Sequence, residues 1–466
     1  MAVVSARSGS KRREVDMTQG SVFWHLFQFA LPLVAGNLFQ QLYNMVDTWV
    51  VGNYVSNVAY SAVGTMGPIL NMLIGFFSGF ASGAGVVISQ YYGAKMMGKV
   101  RETVHTALIL TFAMGLLLTA VGLLMVPTAL RLIKMPEEAV PDATTYLSIL
   151  FSGIMGLMIY NMGAGILRAV GDSRRPFYFL VISACINIVL DLVFVIRFDM
   201  GVAGVAWATI IAQAVSAILV LTVLMGTESV VQVKLRWLRV NWSILKKIFT
   251  LGLPAAIQLA ITAFSNIFVQ SYINFFGTDC MSGWTTYAKV DQLMFLPMQS
   301  ISVATTTFVG QNLGGGNVRR ARQGVTTALC MSVGCTAVLL IPVMVFAPQL
   351  TAFFNSKPEV IQYGTMLLRL LSPFYLLCCF NQVYAAAQRG GGNSRAPMFI
   401  MLGSFVLFRQ IYLYVMANYI CNEIVPIAMA YPAGWLLCSL INGIYYYKTP
   451  LDRHVVVEPG RKGETK

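Results

Sequence analysis

Charge is what this chain has least of. Only 11% of its 466 residues are Asp, Glu, Lys or Arg, whereas 57% are hydrophobic and the mean hydropathy is +0.69. That balance excludes a string of water-soluble domains and leaves a polytopic membrane protein. Histidine is nearly absent too: His25, His105 and His454 lie near the ends of apolar segments or outside them. With no nucleophile beside a base and no metal cluster, the sequence does not read as an intramembrane enzyme. The eight cysteines have no CxxC spacing and sit mostly inside apolar segments, where they read as small buried side chains. Nothing resembles a selectivity filter, which argues against a passive channel. Acids are outnumbered, 18 to 32, for a net charge of +14. The excess cations lie between apolar runs, where they orient a membrane protein, so no nucleic-acid partner is inferred.

What the chain has in abundance is apolar runs of bilayer length. About 20 residues span ~30 Å of hydrocarbon, and twelve such runs are present, at 23–52, 58–90, 103–130, 141–167, 177–197, 201–226, 244–276, 283–310, 323–350, 361–388, 397–420 and 424–447. With the N-terminus placed in the cytoplasm, cytoplasmic segments hold twenty-five of the 32 Lys and Arg, external loops four and helices three. That asymmetry predicts cytoplasmic termini in a multi-pass plasma or inner membrane protein. Residues 1–20, with Arg7, Lys11, Arg12 and Arg13, read as a loosely ordered cytoplasmic tail with no cleavable leader, and 448–466 as a second tail. Between them the chain divides into a lobe at 21–226, a basic cytoplasmic linker at 227–243 carrying Trp237 and Trp242, and a lobe at 244–447.

The two lobes repeat one another. LPLVAGNLFQQLYN at 31–44 answers LPAAIQLAITAFSN at 253–266, and SQYYGAKMMGKVRETVHTAL at 89–108 answers GQNLGGGNVRRARQGVTTAL at 310–329, the latter at an offset of 221. NMGAGILRAVGDSRRP answers NQVYAAAQRGGGNSRAP, in which Arg168, Gly171, Ser173, Arg174 and Pro176 find partners at the same offset. Six crossings per half is an even number, so the halves are parallel repeats about an axis along the membrane normal. The predicted fold is therefore all-α: twelve transmembrane helices in two six-helix lobes related by a pseudo-two-fold axis. Gly75, Gly79, Gly83 and Gly85 in the second run suit close helix packing.

Ionisable residues within the runs are few: Asp47, Asp191, Lys289, Asp291, Arg369 and Arg409. A carboxylate at such depth costs several kcal/mol unless it finds a partner, a cavity or a proton, which makes it a functional candidate. Pro32, in the same run as Asp47, removes a backbone hydrogen bond and invites a bend. Asn187 precedes Asp191 by one helical turn and shares its face. With Asp47 and Thr209 these side chains form a set of hard oxygen donors, suited to a proton or an alkali cation. Asn187 and Thr209 also fit ordinary interhelical hydrogen bonding, worth ~0.6 kcal/mol each. In the second lobe Tyr412 stands where Asp191 would, and Arg409 answers Ile188, so coupling chemistry is expected in the first lobe. Lys289 and Asp291 point to different faces. Two readings of Asp291 stay open: neutralising Arg369 or Arg409, or contacting a substrate. Aromatic and Met side chains can line an adaptable cavity for flat cations; the candidates are Tyr43, Met45, Phe76, Tyr160, Phe268, Tyr272 and Phe295, with polar Asn266 and Asn381 beside them.

YNMVDTWVVG, the paired proline blocks and GDSRRP make residues 20–447 resemble the multidrug and toxic compound extrusion (MATE) family, particularly its bacterial members. The resemblance implies a V-shaped pair of lobes and a secondary antiporter exporting organic cations and other amphipathic compounds in exchange for H+ or Na+, with no other cofactor. It assigns cation coupling to Asp47, Asn187, Asp191 and Thr209, which would ligate sodium in a sodium-coupled protein, and the hinge to Pro32. The chain departs from members with an acid in the seventh and tenth segments, where it offers Gln258 and Asn266, then Asn381 and Gln382. Expected partners are small amphipathic or cationic molecules and the bilayer, the chain acting as a monomer. The rival reading is a flippase for a lipid-linked or polysaccharide precursor of the same superfamily, with Arg369 and Arg409 meeting phosphate.

Overall fold

A computed structural model describes residues 15–55, 57–132 and 135–457. Arg7, Lys11, Arg12 and Arg13, and the tail beyond 457, lie outside the described residues. Among the described residues there is no strand, as hydrocarbon requires of a chain that must satisfy its backbone within each crossing. Among the described residues, twelve helices are long and apolar enough to cross a membrane. They are α1 (Val22–Tyr54), α2 (Asn57–Gly93), α3 (Met97–Leu132), α4 (Val140–Ala169), α5 (Arg174–Leu192) and α6 (Gly201–Gly226). The second lobe holds α7 (Trp242–Asn274), α8 (Thr278–Gly314), α9 (Val318–Val345), α10 (Pro358–Gly390), α11 (Arg395–Ile420) and α12 (Ile424–Lys448). Ser21, Asn241 and Asn317 cap α1, α7 and α9 by accepting from backbone N–H groups of the first turn.

Several helices outrun their apolar stretch. α3 begins at Met97, six residues before the predicted run, because the polar turn holding Lys99 and Glu102 continues the helix beyond the hydrocarbon with its own ion pair. α10 is broken by a 3-10 turn at Ser372–Phe374, and α11 contains two π turns, Gly403–Phe408 and Met416–Ile420. α5 carries a single π turn after it, Val193–Arg197.

The lobes meet through small residues. Gly79 and Gly83 of α2 approach Ala256 and Gly252 of α7 so closely that a Cβ on either glycine would overlap the opposing backbone. Gly85 instead faces Gly165 of α4, inside its own lobe.

At the end where both chain termini lie, the closure is two-fold symmetric down to single hydrogen bonds. Gln90 of α2 donates to Gly390 O of α10 at 2.8 Å, and Gln311 of α8 donates to Ala169 O of α4 at 2.9 Å. Both pairs are related by the 221-residue offset, and each bond crosses from one lobe to the other. The same glutamines then accept from the terminal segments: Met17 N reaches Gln311 Oε1 at 3.0 Å, and Val456 N reaches Gln90 Oε1 at 2.6 Å. Gly171 and Gly392, at φ +89° and +87°, let these segments pass, since a Cβ there would meet Val15 O and His454 O. The expectation of a loosely ordered N-terminal tail is therefore corrected for residues 15–20, and residues 454–456 of the second tail are held down as well. Met17 is fully buried, its carbonyl held by Asn312 and Arg320, and Lys247 holds Val456 O at 3.2 Å.

The linker is likewise held down. Asn241 Nδ2 donates to Glu102 at 2.7 Å, Lys234 N to His105 at 3.2 Å, and the Trp237 ring is covered by Arg101 and Lys234.

Candidate functional site

Asp47 on α1 and Asp191 on α5 come together, because α1 packs along α5 and the two acids lie at matching depth. Their carboxyls lie close enough to interact. Asn187, one turn before Asp191 on the same buried face of α5, completes the group. Asp191 is fully buried and Asn187 nearly so, whereas Asp47 is only partly covered. The pair is thus a sealed inner carboxyl, Asp191, and a partly covered outer one, Asp47.

Five polar atoms here lack a conventional hydrogen-bond partner: Asp47 Oδ1, both carboxyl oxygens of Asp191, and Oδ1 and Nδ2 of Asn187. Buried polar atoms in proteins are nearly always satisfied, so such a cluster marks a place where something else supplies the contacts. Two carboxylates this close at such depth repel one another unless a proton or a cation stands between them. The donor set is hard oxygen, and no group of three or more His, Cys, Asp or Glu gathers among the described residues, so the site suits a proton or a monovalent cation. Thr209, on α6 packed against α5, gives its proton to Val205 O at 2.9 Å and keeps its lone pairs.

Tyr146 of α4 stands close enough to sense both carboxylates, and Tyr43, one turn before Asp47, flanks the outer one. Tyr43 was among the cavity candidates; Tyr146 was not. Its only sequence signal is a phenol within an apolar run, which is shared by many of the 20 tyrosines.

The remaining candidates scatter. Met45 is half exposed on α1 and Phe268 half exposed on α7, while Phe76 packs edge-on against Phe77 and Phe80 inside the first lobe. Tyr160 is tied to Pro176 O at 3.1 Å, and Tyr272 packs against the core of the second lobe. Phe295 also packs on that core, edge-on to Tyr375 and tilted against Trp435. Asn381 does not face a cavity: it is 2% exposed, donates to Trp435 O and accepts from Ser439 Oγ at 2.9 Å, so its amide joins α10 to α12. A recess of about 510 Å³ runs along α10, lined by Pro358, Ile361, Gln362, Thr365, Met366 and Arg369, and none of the cavity candidates borders it.

Asp291 forms no ion pair with Arg369 or Arg409. It accepts from Tyr287 Oη at 3.1 Å, with Tyr375 beside it, and the four ion pairs among the described residues lie elsewhere. Arg409 bonds to Ser265 and Asn266 of α7 instead, at 3.0 and 2.8 Å. The charge-balance reading of Asp291 fails because phenol hydroxyls reach it within its own aromatic cluster. Lys289 lies over the Phe354 ring.

Two parallel six-helix repeats, joined through small residues and closed at one end by symmetric contacts, with a polar group at depth in one lobe, define a multi-pass membrane transporter of the two-lobed kind. The comparisons name the family. The MatE family model matches twice, at residues 32–193 and 254–415, and the chain belongs to the MATE family, whose members are transporters and not enzymes. It is 28% identical over 433 residues to the probable multidrug resistance protein YoeA of Bacillus subtilis (strain 168), covering 91% of this chain and 94% of that one. It is 28% identical over 398 residues to the probable multidrug resistance protein NorM of Thermotoga maritima, covering 84% and 85%. A solved structure described as the outward-facing conformation of a multidrug resistance MATE family transporter superposes with a TM-score of 0.89 at 22% identity, covering 95% of this chain and 98% of that one.

Proposed function

We propose that this protein exports amphipathic and cationic compounds from the cytoplasm in exchange for a proton or a sodium ion that binds at Asp47 and Asp191. The observation that carries the reading is the cluster of unpartnered oxygens shared by α1 and α5, two helices packed against one another around it. An ion between the carboxyls draws α1 onto α5; its loss lets them part. A ligand shifts a two-state equilibrium only by its differential affinity for the two states. At this site the difference is large, since one arrangement brings two carboxyls together and the other separates them. Pro32 supplies the point at which α1 can bend, because residue 28 has no N–H to accept from at that position. The multidrug names of the relatives support export over uptake.

The test is transport of a fluorescent cation in proteoliposomes under an imposed pH or sodium gradient. Asp47→Asn is expected to abolish gradient-driven transport while leaving expression and membrane insertion intact. Full transport by that variant would defeat the proposal.

A further inference from the structure

We infer that Arg409 is the docking group for a carboxylate carried by exported compounds, so that equivalent helix pairs of the two lobes present opposite polarity. The inference rests on the export reading above and adds a substrate class to it.

The positions correspond through the repeat. By the match of 31–44 with 253–266, Ser265 and Asn266 of α7 answer Tyr43 and Asn44 of α1, while at the offset of 221 Arg409 and Tyr412 of α11 answer Ile188 and Asp191 of α5. The helix pair that holds two acids in the first lobe therefore holds a guanidinium in the second. Arg409 is 3% exposed. Its Nη2 donates to Ser265 Oγ and Asn266 Oδ1, its Cζ lies 4.7 Å from the Tyr431 ring centre, and its Nε is buried with no partner. A guanidinium cannot shed its proton, so the relief open to acids at such depth is closed to it. All its protein partners are neutral.

The local backbone is built to place it. The π turn Gly403–Phe408 ends directly before Arg409, whereas the equivalent residues of α5 are regular helix. Ser265 Oγ caps the turn by donating to Phe405 O at 3.1 Å, and accepts from Gln410 Nε2 at 3.0 Å. If joining α7 to α11 were the only task, a neutral amide would do it without burying a charge. The charge with a spare donor answers an anion, and a planar fork matches a carboxylate. Entry lies past Asn266, which is exposed and directly bonded to the guanidinium.

The experiment compares export of a carboxyrhodamine with that of its methyl ester, two dyes differing only in the anionic group, by wild type, Arg409→Gln and Arg409→Lys. The acid-to-ester export ratio is expected to fall about tenfold in R409Q, the equivalent of ~1.4 kcal/mol, and less in R409K. A second arm measures thermal stabilisation of the detergent-purified protein by the free acid, which wild type should show and R409Q should lose. An unchanged ratio, or equal stabilisation of both proteins, overturns the inference. Ester export that depends on chloride in wild type but not in R409Q would assign the site to an inorganic anion and overturn the substrate assignment. If wild type exports neither dye the export reading falls, while the stabilisation arm still decides Arg409.

Discussion

Replacing Gln311 by alanine removes two buried contacts at once: the acceptor for Met17 N and the donor to Ala169 O. Gln311 is fully buried, so both backbone groups lose their partner in a place closed to water. An orphaned buried group costs about 1–3 kcal/mol. For the Met17 amide, that cost is subtracted from the free energy of opening the N-terminal segment, so exchange with deuterium should accelerate on the order of 10- to 100-fold. Gln90→Ala should do the same to the Val456 amide, by the symmetric argument and at comparable size. Hydrogen–deuterium exchange followed by mass spectrometry of the terminal peptides reads both. Because each glutamine also bonds across to the other lobe, each variant should raise the population open at the terminal end, with the double variant close to the sum. Unchanged exchange at Met17 in Q311A would refute the reasoning, since the bond would then carry none of the segment's order.

The same closure fails differently when a methyl is forced into it. Gly93→Ala and Gly314→Ala put a Cβ onto Gln311 O and Gln90 O, backbone atoms that no rotamer change can move; each should lower the melting temperature through ~1–3 kcal/mol of overpacking, while Gly98→Ala, with nothing nearby, stays within about 0.5 kcal/mol. Burial pushes the Asp16 carboxyl up, but Lys95 and Thr18 outweigh it and hold it below its usual value of 3.8. Its contribution is therefore present above the usual aspartate range and lost as pH falls through the lowered value. Asp16→Asn should cost about 0.2–1 kcal/mol near neutral pH, and a pH series of thermal melts should show the difference from wild type closing below about pH 4. Asn381→Ala should cost ~1–3 kcal/mol of stability through the orphaned contacts between α10 and α12, and dye export should fall alike for every compound tried; a change in preference among dyes would return Asn381 to the cavity.

The fold was legible because hydrocarbon is a strict solvent. Twelve runs of spanning length, an even count per repeat and cations confined to alternate loops leave few arrangements. The acid pair was legible for a related reason: Asp47 and Asp191 are conspicuous where almost nothing else is charged, and one-turn spacing placed Asn187 with them. Tyr146 was not, since only packing selects it from the other phenols. Asp291 was misjudged in one of its readings because charge arithmetic favours an ion pair, while the tyrosine hydroxyls that take it come from α8 itself and α10. The order of residues 15–17 and 454–457 was out of reach locally. It is imposed by side chains about 300 positions away, at Gln311 and Gln90, although those two glutamines stood aligned in the repeat.

Where the repeats agree and where they part follows from what each region must do. At the terminal end both lobes meet on the axis, and a contact made by one lobe has to be returned by the other if the seam is to close evenly. Gln90 and Gln311, Gly93 and Gly314, Gly171 and Gly392 are kept as pairs by that requirement. Deeper in the bundle, among the described residues, Asp191 makes no hydrogen bond and Tyr412 donates to Pro426 O within its own lobe, so no such bond ties one position's chemistry to the other's. Each lobe is free there to hold its own charge: carboxyls on α1 and α5, a guanidinium on α11. On the export reading proposed above, symmetry in the seam lets the lobes move as equals, and asymmetry at depth lets an ion and a compound be told apart. Exchanging the two helix pairs between lobes should therefore preserve closure at the terminal end, read by exchange at Met17 and Val456, while abolishing gradient-driven export.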